Sequence, residues 1–373
     1  MQRPLHEIVG RYRPDAPLAH ASTIPAAWYV DPRILDLERE TVFARSWQVA
    51  GRVDEVRRAG EYVSSELAGG EPVVAVRGGD DVLRGFFNVC RHHAAAVVTD
   101  PHGTARTLRC PYHGWTYSLE GALIGTPEFA GVCEFDRAAH GLVPVATGVW
   151  EKWIFVNVDR ARLSLEAFLG PDLMRLAAGL RLETLHWMER RQYTVECNWK
   201  VFVDNYLDGG YHVPHLHGGL DSVLDSRRYT IENGDRFCYQ SSPMVADGAD
   251  ARTGAVRTGD RAHYLWVYPN LMINGYGGTM DTNLVIPRGV DRTDVIFDFY
   301  FADVSDAARA RNLASIDVSE QIQGEDVAIC ASVQRGLRSR AYTAGRLSVR
   351  REAGEQLFHR LLHRDLEAGL GGA

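Results

Sequence analysis

The alternation of apolar and polar residues divides the chain into a helical first segment, a β-rich middle and a mixed second half. From Pro25 to Val53, apolar residues recur at helical spacing after Asp31-Pro32, a typical helix start. Between Tyr62 and Val158, short apolar or alternating runs are separated by Gly-rich turns. This pattern predicts a small antiparallel β domain.

In the second half, helices and strands are grouped rather than strictly alternating. Helical patterning extends from Leu163 to Leu182, and β-branched and aromatic residues between Tyr264 and Phe301 predict strands. Apolar positions from Ala307 to Leu337 predict one long helix. We therefore expect an α+β protein. The expected segments are a helical segment at 1–45 that packs on the second domain, a β domain at 46–158 and the second domain at 159–373.

Composition and charge narrow the class of protein. The chain has 373 residues and a formal net charge of −7, and this mildly acidic balance argues against nucleic acid as a partner. No apolar run approaches the ~20 residues of a membrane span, and the N-terminus lacks the layout of a secretory signal. A cytoplasmic protein without a membrane contact is the expectation. Its six sparse cysteines are then reduced and available as metal ligands.

Two short segments combine cysteine with histidine. Cys90 and His92 are separated by one residue, and Cys110 and His113 by two. Zinc knuckles usually pair Cys with Cys and His with His, whereas each segment here supplies one of each. A Rieske [2Fe-2S] cluster has two thiolates on one iron and two imidazoles on the other. The pattern favours this cluster over a zinc site.

The same segments resemble the Rieske motif, including Gly114-Trp115 after the last histidine. One departure is visible at His93-Ala94, where family members often have Arg-Gly. Neither position is a ligand, so the four ligands remain Cys90, His92, Cys110 and His113.

A second constellation lies in the middle of the chain. Asp208 precedes His212 by four residues, and His217 follows five residues later. Two imidazoles and a distant carboxylate, with coordination positions left open, are typical of non-heme Fe(II) oxygenases. The residues themselves leave His215 as an alternative to His217, and Asp204 as an alternative to Asp208.

The run from Asn198 to Pro214 is similar to choline monooxygenases, and the two motifs in this order resemble Rieske non-heme iron oxygenase α subunits. The resemblance implies that Asp326, rather than Glu325 or Glu320, completes a facial triad with His212 and His217. It also implies that Asp208 carries electrons across a subunit boundary, from a cluster histidine expected to be His113 to an iron histidine of the next subunit.

The resemblance further implies a Rieske antiparallel β domain followed by a helix-grip (START-like) catalytic domain, assembled as a homotrimer. The implied cofactors are a [2Fe-2S] cluster and a mononuclear Fe(II). The implied co-substrate is O₂, and a separate flavin and iron–sulfur reductase supplies electrons from NAD(P)H.

Relatives in this branch act on choline, glycine betaine, carnitine or proline betaine, which implies hydroxylation or oxidative N-demethylation of a small quaternary ammonium. Such a cation has no proton to donate and is recognised by aromatic faces. The candidate substrate contacts are Tyr206, Trp266, Tyr268, Tyr276 and Phe301. The rival hypotheses are an aromatic ring hydroxylase or O-demethylase with the same metals, and a Rieske electron-transfer protein without an oxygenase site.

Overall fold

The computed structural model describes residues 3–159, 163–245 and 250–371. Contacts divide the chain into two compact units, one of Phe43–Phe168 and one that joins Met1–Val42 to Leu169–Ala373. Within the described ranges, none of the helices combines the length and the apolar character that a membrane span requires.

The N-terminal segment forms three short helices. They are α1 (Leu5–Val9), α2 (Ala27–Val30) and α3 (Pro32–Glu38), followed by a π-helical turn at Arg39–Phe43. Asp31 caps α3 by accepting a hydrogen bond from the backbone N–H of Arg33, and Pro32 occupies the first helical position, as predicted. The helical prediction is wrong at its end, because Gln48–Arg52 forms a strand that pairs with residues about a hundred positions further along the chain.

The unit Phe43–Phe168 is built from antiparallel strands, as predicted. The strands are β1 (Gln48–Arg52), β2 (Glu61–Glu66), β3 (Pro72–Arg77), β4 (Leu83–Phe87), β5 (His102–Thr104), β6 (Leu108–Arg109), β7 (Thr116–Tyr117), β8 (Leu123–Gly125), β9 (Pro144–Trp150) and β10 (Trp153–Asn157). One sheet has the order β1-β10-β9-β4-β3-β2-β5, and a small sheet has the order β6-β7-β8.

The other unit contains a large antiparallel sheet in the order β11-β17-β16-β15-β14-β13-β12. Its strands are β11 (His186–Val195), β12 (Thr230–Asn233), β13 (Phe237–Pro243), β14 (Arg261–Val267), β15 (Leu271–Tyr276), β16 (Thr279–Gly289) and β17 (Arg292–Phe301). The helices that follow β10 along the chain are α4 (Leu165–Leu180, interrupted at Gly170), α5 (Trp199–Leu207), α6 (Val213–Leu216), α7 (Gly218–Asp221), α8 (Ala251–Val256), α9 (Asp306–Leu337) and α10 (Ala353–Leu370). The long predicted helix is thus confirmed as α9.

Aromatic packing places α5 and α10 against this sheet. The ring of Phe358 on α10 lies edge-on to Trp199 at 5.4 Å and to Trp266 at 5.5 Å. Helix α5 is also tied to α3, because the buried Lys200 ammonium donates to Glu38 at 2.6 Å and the Trp199 indole N–H donates to the same carboxylate at 2.7 Å. Removing one partner of such a buried ion pair typically costs about 3–5 kcal/mol. The helix that leads into the second metal motif is therefore held rigidly.

Candidate metal centres and substrate cavity

The two Cys-His segments form a pair of loops with the same backbone hydrogen bonds. In one loop the N–H of Ala94 bonds to the carbonyl of Cys90 at 3.0 Å, and in the other the N–H of Gly114 bonds to the carbonyl of Cys110 at 3.1 Å. Gly114 has φ 72° and Ala94 has φ 59°. The left-handed conformation favours glycine, which gives the physical reason why family members often have Gly where this chain has Ala94.

The ligand side chains of these loops lie close together. The rings of His92 and His113 are 4.8 Å apart, and both Cys90 and Cys110 are buried. Burial and the neighbouring Cys90 raise the pKa of the Cys110 thiol, although backbone hydrogen bonds partly oppose this. The hydroxyl of Tyr117 accepts the Arg91 backbone N–H at 3.0 Å, so its proton is free to donate to Cys90 Sγ at 3.4 Å. Such hydrogen bonds to sulfur tune cluster potentials.

His92 shows that these residues fit a metal cluster. Its ring stacks on Trp115 at 4.7 Å, and its buried Nδ1 has no hydrogen-bond partner in the described chain. Burial and the imidazoles of His93 and His113 lower the pKa of His92, so the ring is neutral and keeps a free lone pair. A buried polar atom without a partner is rare unless a water or ion satisfies it. An iron at Nδ1 would do so.

Helix α5 and a glycine turn build the second motif. Asn198 caps the start of the helix, and its side chain accepts the backbone N–H of Lys200 at 3.1 Å. After the helix, Gly209 and Gly210 have φ 69° and 66°. A Cβ on Gly209 would lie 2.1 Å from the Arg351 carbonyl oxygen, so only glycine fits there. This turn accounts for the spacing of four residues between Asp208 and His212.

The turn brings His212 onto Asp208. Asp208 Oδ2 accepts both the backbone N–H of His212 at 2.9 Å and its ring Nδ1–H at 2.7 Å. In the same way, Glu325 Oε2 accepts the Nδ1–H of His217 at 2.6 Å. Metal-binding histidines usually donate their second ring N–H to such a group, which fixes the orientation of the ring.

The two ε nitrogens face Asp326. Asp326 Oδ1 is 3.1 Å from His217 Nε2 and 4.0 Å from His212 Nε2, and it accepts a hydrogen bond from Asn205 at 2.8 Å. The three ligand atoms lie within 4.8 Å of one another. Two imidazoles and one carboxylate fit a facial triad for non-heme Fe(II). Burial lowers the pKa of His217, but its bonds to Asp326 and Glu325 outweigh burial and raise the pKa overall, so metal binding competes with protonation at this ring.

The alternative ligands lie elsewhere. His215 is exposed on α6, and Glu320 accepts the hydroxyl of Tyr193 at 3.2 Å. Glu325 is also at the site, but its carboxylate accepts the Nδ1–H of His217, on the opposite edge of the ring from the Nε2 that faces Asp326. Asp204 belongs to a separate group with His359 and Glu355.

A cavity of about 110 Å³ opens onto the triad. Tyr206 and Tyr276, both expected as substrate contacts, line this cavity, and so do Tyr229 and Tyr264, which the sequence analysis missed. Tyr264 lies two residues from Trp266 on β14, so strand alternation already placed it on the same face. Burial raises the pKa of Tyr206, Tyr229 and Tyr264 well above the ordinary tyrosine value, so all three are neutral rings.

Trp266, Tyr268 and Phe301 do not line the cavity, which corrects their expected role. The first two have the same parity as Tyr264, but α10 covers their end of the sheet: Trp266 packs on Phe358, and the Tyr268 hydroxyl donates to Asp365 at 2.6 Å. Phe301 is buried at the end of β17, four residues beyond the cavity-lining Phe297. Strand alternation correctly predicted which face of the sheet these residues share. The packing of α10 on that face determines which of them line the cavity.

Comparisons with known proteins agree with this geometry. A family model described as "Rieske [2Fe-2S] domain" matches residues 46–136, and one described as "Ring hydroxylating alpha subunit (catalytic domain)" matches residues 182–368. The chain is 37% identical to chloroplastic choline monooxygenase of Arabidopsis thaliana, over 97% of this chain and 87% of that protein.

The carnitine monooxygenase oxygenase subunit of Escherichia coli K12 is 31% identical, over 92% of this chain and 93% of that protein. Among solved structures, the quaternary ammonium Rieske monooxygenase CntA has a TM-score of 0.83 at 26% identity, covering 98% of this chain and 99% of that one. Its description names carnitine oxidation and inter-subunit electron transfer.

Proposed function

The chain belongs to the Rieske-type ring-hydroxylating oxygenase α subunits, and from this premise we propose that it hydroxylates a small quaternary-ammonium substrate. Its relatives are monooxygenases, and the chain is an oxidoreductase of that class. One observation carries the substrate proposal: the cavity at His212, His217 and Asp326 is walled by partly buried, neutral tyrosine rings. Tyrosine faces attract a cation that has no proton to donate.

The residues fit both metal centres. Cys90, His92, Cys110 and His113 would hold the [2Fe-2S] cluster, and the triad would hold a mononuclear iron. When bound, the cluster supplies single electrons and the iron binds O₂. We propose that the electrons come from NAD(P)H through a separate reductase. The reaction then consumes O₂, two electrons and two protons, and it places one oxygen atom on carbon and the other in water.

The tyrosines orient the substrate. The Tyr206 hydroxyl donates toward Asn274 Oδ1 at 2.9 Å, and the Tyr229 hydroxyl donates to Gln240 at 3.3 Å. These bonds fix the rings before substrate arrives, which lowers the entropic cost of binding. A trimethylammonium group held on these rings presents a methyl carbon toward the triad. Hydroxylation of that carbon gives a hemiaminal, which collapses to formaldehyde and a tertiary amine.

We also propose that Asp208 joins His212 to the partner subunit's His113 in a homotrimer. Three observations support this bridge. Asp208 already holds the δ N–H of His212, its side chain is 14% exposed, and His113 is exposed at the tip of its loop. The related CntA is described as having inter-subunit electron transfer.

An aromatic ring hydroxylase with the same metals is the second candidate, because ring-hydroxylating enzymes share this fold. The cavity argues against it, since Arg257 and Asp281 line the walls and a neutral apolar substrate would offer no charged group to pair with either. An electron-transfer protein without an oxygenase site is ruled out by the match to the catalytic family model and by the convergence of His212, His217 and Asp326.

Single turnover tests the function without the cognate reductase. The iron-loaded protein is chemically reduced and exposed to O₂ with choline, glycine betaine, carnitine, proline betaine or a methoxybenzoate, and products are identified by mass spectrometry. We expect a hydroxylated or N-demethylated product from at least one ammonium compound and none from the methoxybenzoates. Product from the aromatic compounds alone would overturn the proposal.

A further inference from the structure

The cavity at the triad contains both signs of charge. Apart from the three triad residues, Arg257 and Asp281 are the acidic or basic side chains along its described lining. Arg257 is 4% exposed and directly follows α8. A guanidinium stays protonated even when buried, so this site holds a permanent positive charge.

The hydrogen-bond partners of Arg257 in the described chain are neutral groups of Ser315 and Ser319, although the Asp281 carboxyl is close enough to interact with its charge. Its Nη1 donates to Ser315 Oγ at 2.5 Å, and its Nη2 donates to Ser319 Oγ at 2.5 Å and to the Ser315 carbonyl at 3.4 Å. Its guanidinium carbon lies 4.7 Å from the centre of the Tyr276 ring. Its Nε has no hydrogen-bond partner. A buried charge without a counter-ion in contact is costly, and an anionic ligand group would offset that cost.

A second donor without a partner lies nearby on α9. Gln323 lines the cavity, is 2% exposed, and its Nε2 has no hydrogen-bond partner among the described residues. It lies one helical turn after Ser319, which bonds to Arg257, and three residues before Asp326. The face of α9 that carries the triad carboxylate therefore also carries a donor that has nothing to bind.

Asp281 is an acid close to Arg257, since Ser319 hydrogen-bonds to both side chains. Asn274 donates to its Oδ1 at 2.6 Å. Burial raises the pKa of Asp281, while the charge of Arg257 and hydrogen bonds from Asn274 and Ser319 oppose that rise. The cavity thus presents a cation and an acid side by side, next to tyrosine rings. The Tyr276 ring already faces Arg257 and the Tyr229 ring already faces Arg351 at 5.6 Å, which leaves Tyr206 and Tyr264 for the ammonium.

We propose, resting on the function proposed above, that Arg257 and Gln323 bind a substrate carboxylate, and that the substrate is a betaine-type zwitterion rather than choline. The ammonium lies on the tyrosines toward Asp281, and the carboxylate accepts from the Arg257 guanidinium and the Gln323 amide. Choline would add a second positive charge beside Arg257 and leave both donors without an acceptor. A site built around polar partners strongly rejects an analogue that lacks them.

The test compares binding and single turnover of glycine betaine, carnitine and choline. In the wild-type protein we expect at least one zwitterion to exceed choline by about 100-fold in both measurements. Arg257→Met should weaken zwitterion binding by about 100-fold without weakening choline binding, and Arg257→Lys should recover part of the loss. Gln323→Glu keeps the side-chain shape and should weaken zwitterion binding at least 10-fold, because the added charge repels the carboxylate.

Arg288→Met serves as the matched control, since Arg288 pairs with Asp294 and is not part of the cavity lining; it should leave the zwitterion-to-choline ratio unchanged. The inference is overturned if the wild-type protein prefers choline, or if Arg257→Met and Gln323→Glu weaken choline and zwitterions equally, as a purely structural role would. Equal turnover of both compounds overturns this inference alone. Turnover of no ammonium compound overturns the proposed function as well.

Discussion

Two groups of three histidine and acid residues, partly or fully buried, lie in the same unit, one with two histidines and one acid and the other with one histidine and two acids. One is the triad of His212, His217 and Asp326, and the other consists of Asp204, Glu355 and His359. In both groups, all ligand atoms lie within 4.8 Å of one another. Their surroundings differ in one respect, namely which atoms hold the δ nitrogen of each imidazole.

In the triad, the acids Asp208 and Glu325 each hold a δ N–H, so both ε lone pairs point inward. In the other group, the Nδ1 of His359 is buried and has no described partner, while its Nε2 lies 3.0 Å from Asp204. If Nε2 bound a metal, a buried Nδ1–H would remain unsatisfied. With Nε2–H donating to Asp204, the ring has no buried N–H without an acceptor.

The second group therefore forms a structural hydrogen-bond network. The Tyr29 hydroxyl donates to Asp204 Oδ2 at 2.5 Å, so both oxygens of Asp204 are taken. Burial, together with the nearby acids Asp204, Glu352 and Asp208, raises the pKa of Glu355 well above its ordinary value. The hydrogen bond between His359 and Asp204 ties α10 to α5. Closely spaced histidine and acid side chains are thus insufficient evidence for a metal site. The orientation of the imidazole rings, set by the partners of their δ nitrogens, distinguishes the two groups.

The largest expected effect is a difference in iron content between variants of the two groups. Asp326→Asn should lower the iron content from about three to about two atoms per chain, since it removes the only acidic triad ligand, and turnover should fall by at least about 100-fold. Asp204→Asn is the equivalent change in the other group and should keep all the iron. Metal analysis and cluster absorbance measure both. Loss of iron from Asp204→Asn would contradict the distinction.

The next effect concerns the two acids that hold the triad histidines. Asp208→Asn and Glu325→Gln should each weaken iron binding by about 10- to 100-fold, because each weakens the support of one imidazole. With iron in excess, only Asp208→Asn should still slow reoxidation of the reduced cluster, by at least about 100-fold. Stopped-flow absorbance during single turnover measures this rate. Equal reoxidation rates in the two variants would remove Asp208 as the electron bridge.

The smallest effect tests the neutral acid in the second group. The raised pKa of Glu355 means that its contribution to stability is full below the unfolded pKa of about 4.3 and is lost as pH rises. Glu355→Gln removes this loss, so its melting temperature should exceed that of the wild-type protein by a few degrees at pH 8 and by less at pH 5. Melting curves across that range measure the difference. A constant difference at every pH would show that Glu355 does not titrate anomalously.

The amino-acid sequence predicted the features that depend on residues close together along the chain. The alternation in β14 and the apolar period of α9 gave elements close to the observed ones. Asp31-Pro32 marked a real helix start, because a cap acts on the adjacent backbone. The Cys-His spacing placed four side chains in two matching loops, since each loop closes through its own hydrogen bonds.

Only the tertiary structure decided the rest. Strand alternation put Trp266 and Tyr264 on one face, but the packing of α10 covers one and leaves the other open. Nothing in the sequence singled out Arg257, whose place in the cavity depends on contacts with serines about sixty residues away. The sequence also did not show that Glu325 holds the δ nitrogen of His217, because Glu325 lies on α9, about a hundred residues further along the chain. Local hydrogen bonds and spacing are encoded in a few adjacent residues, whereas a cavity forms only where distant elements meet.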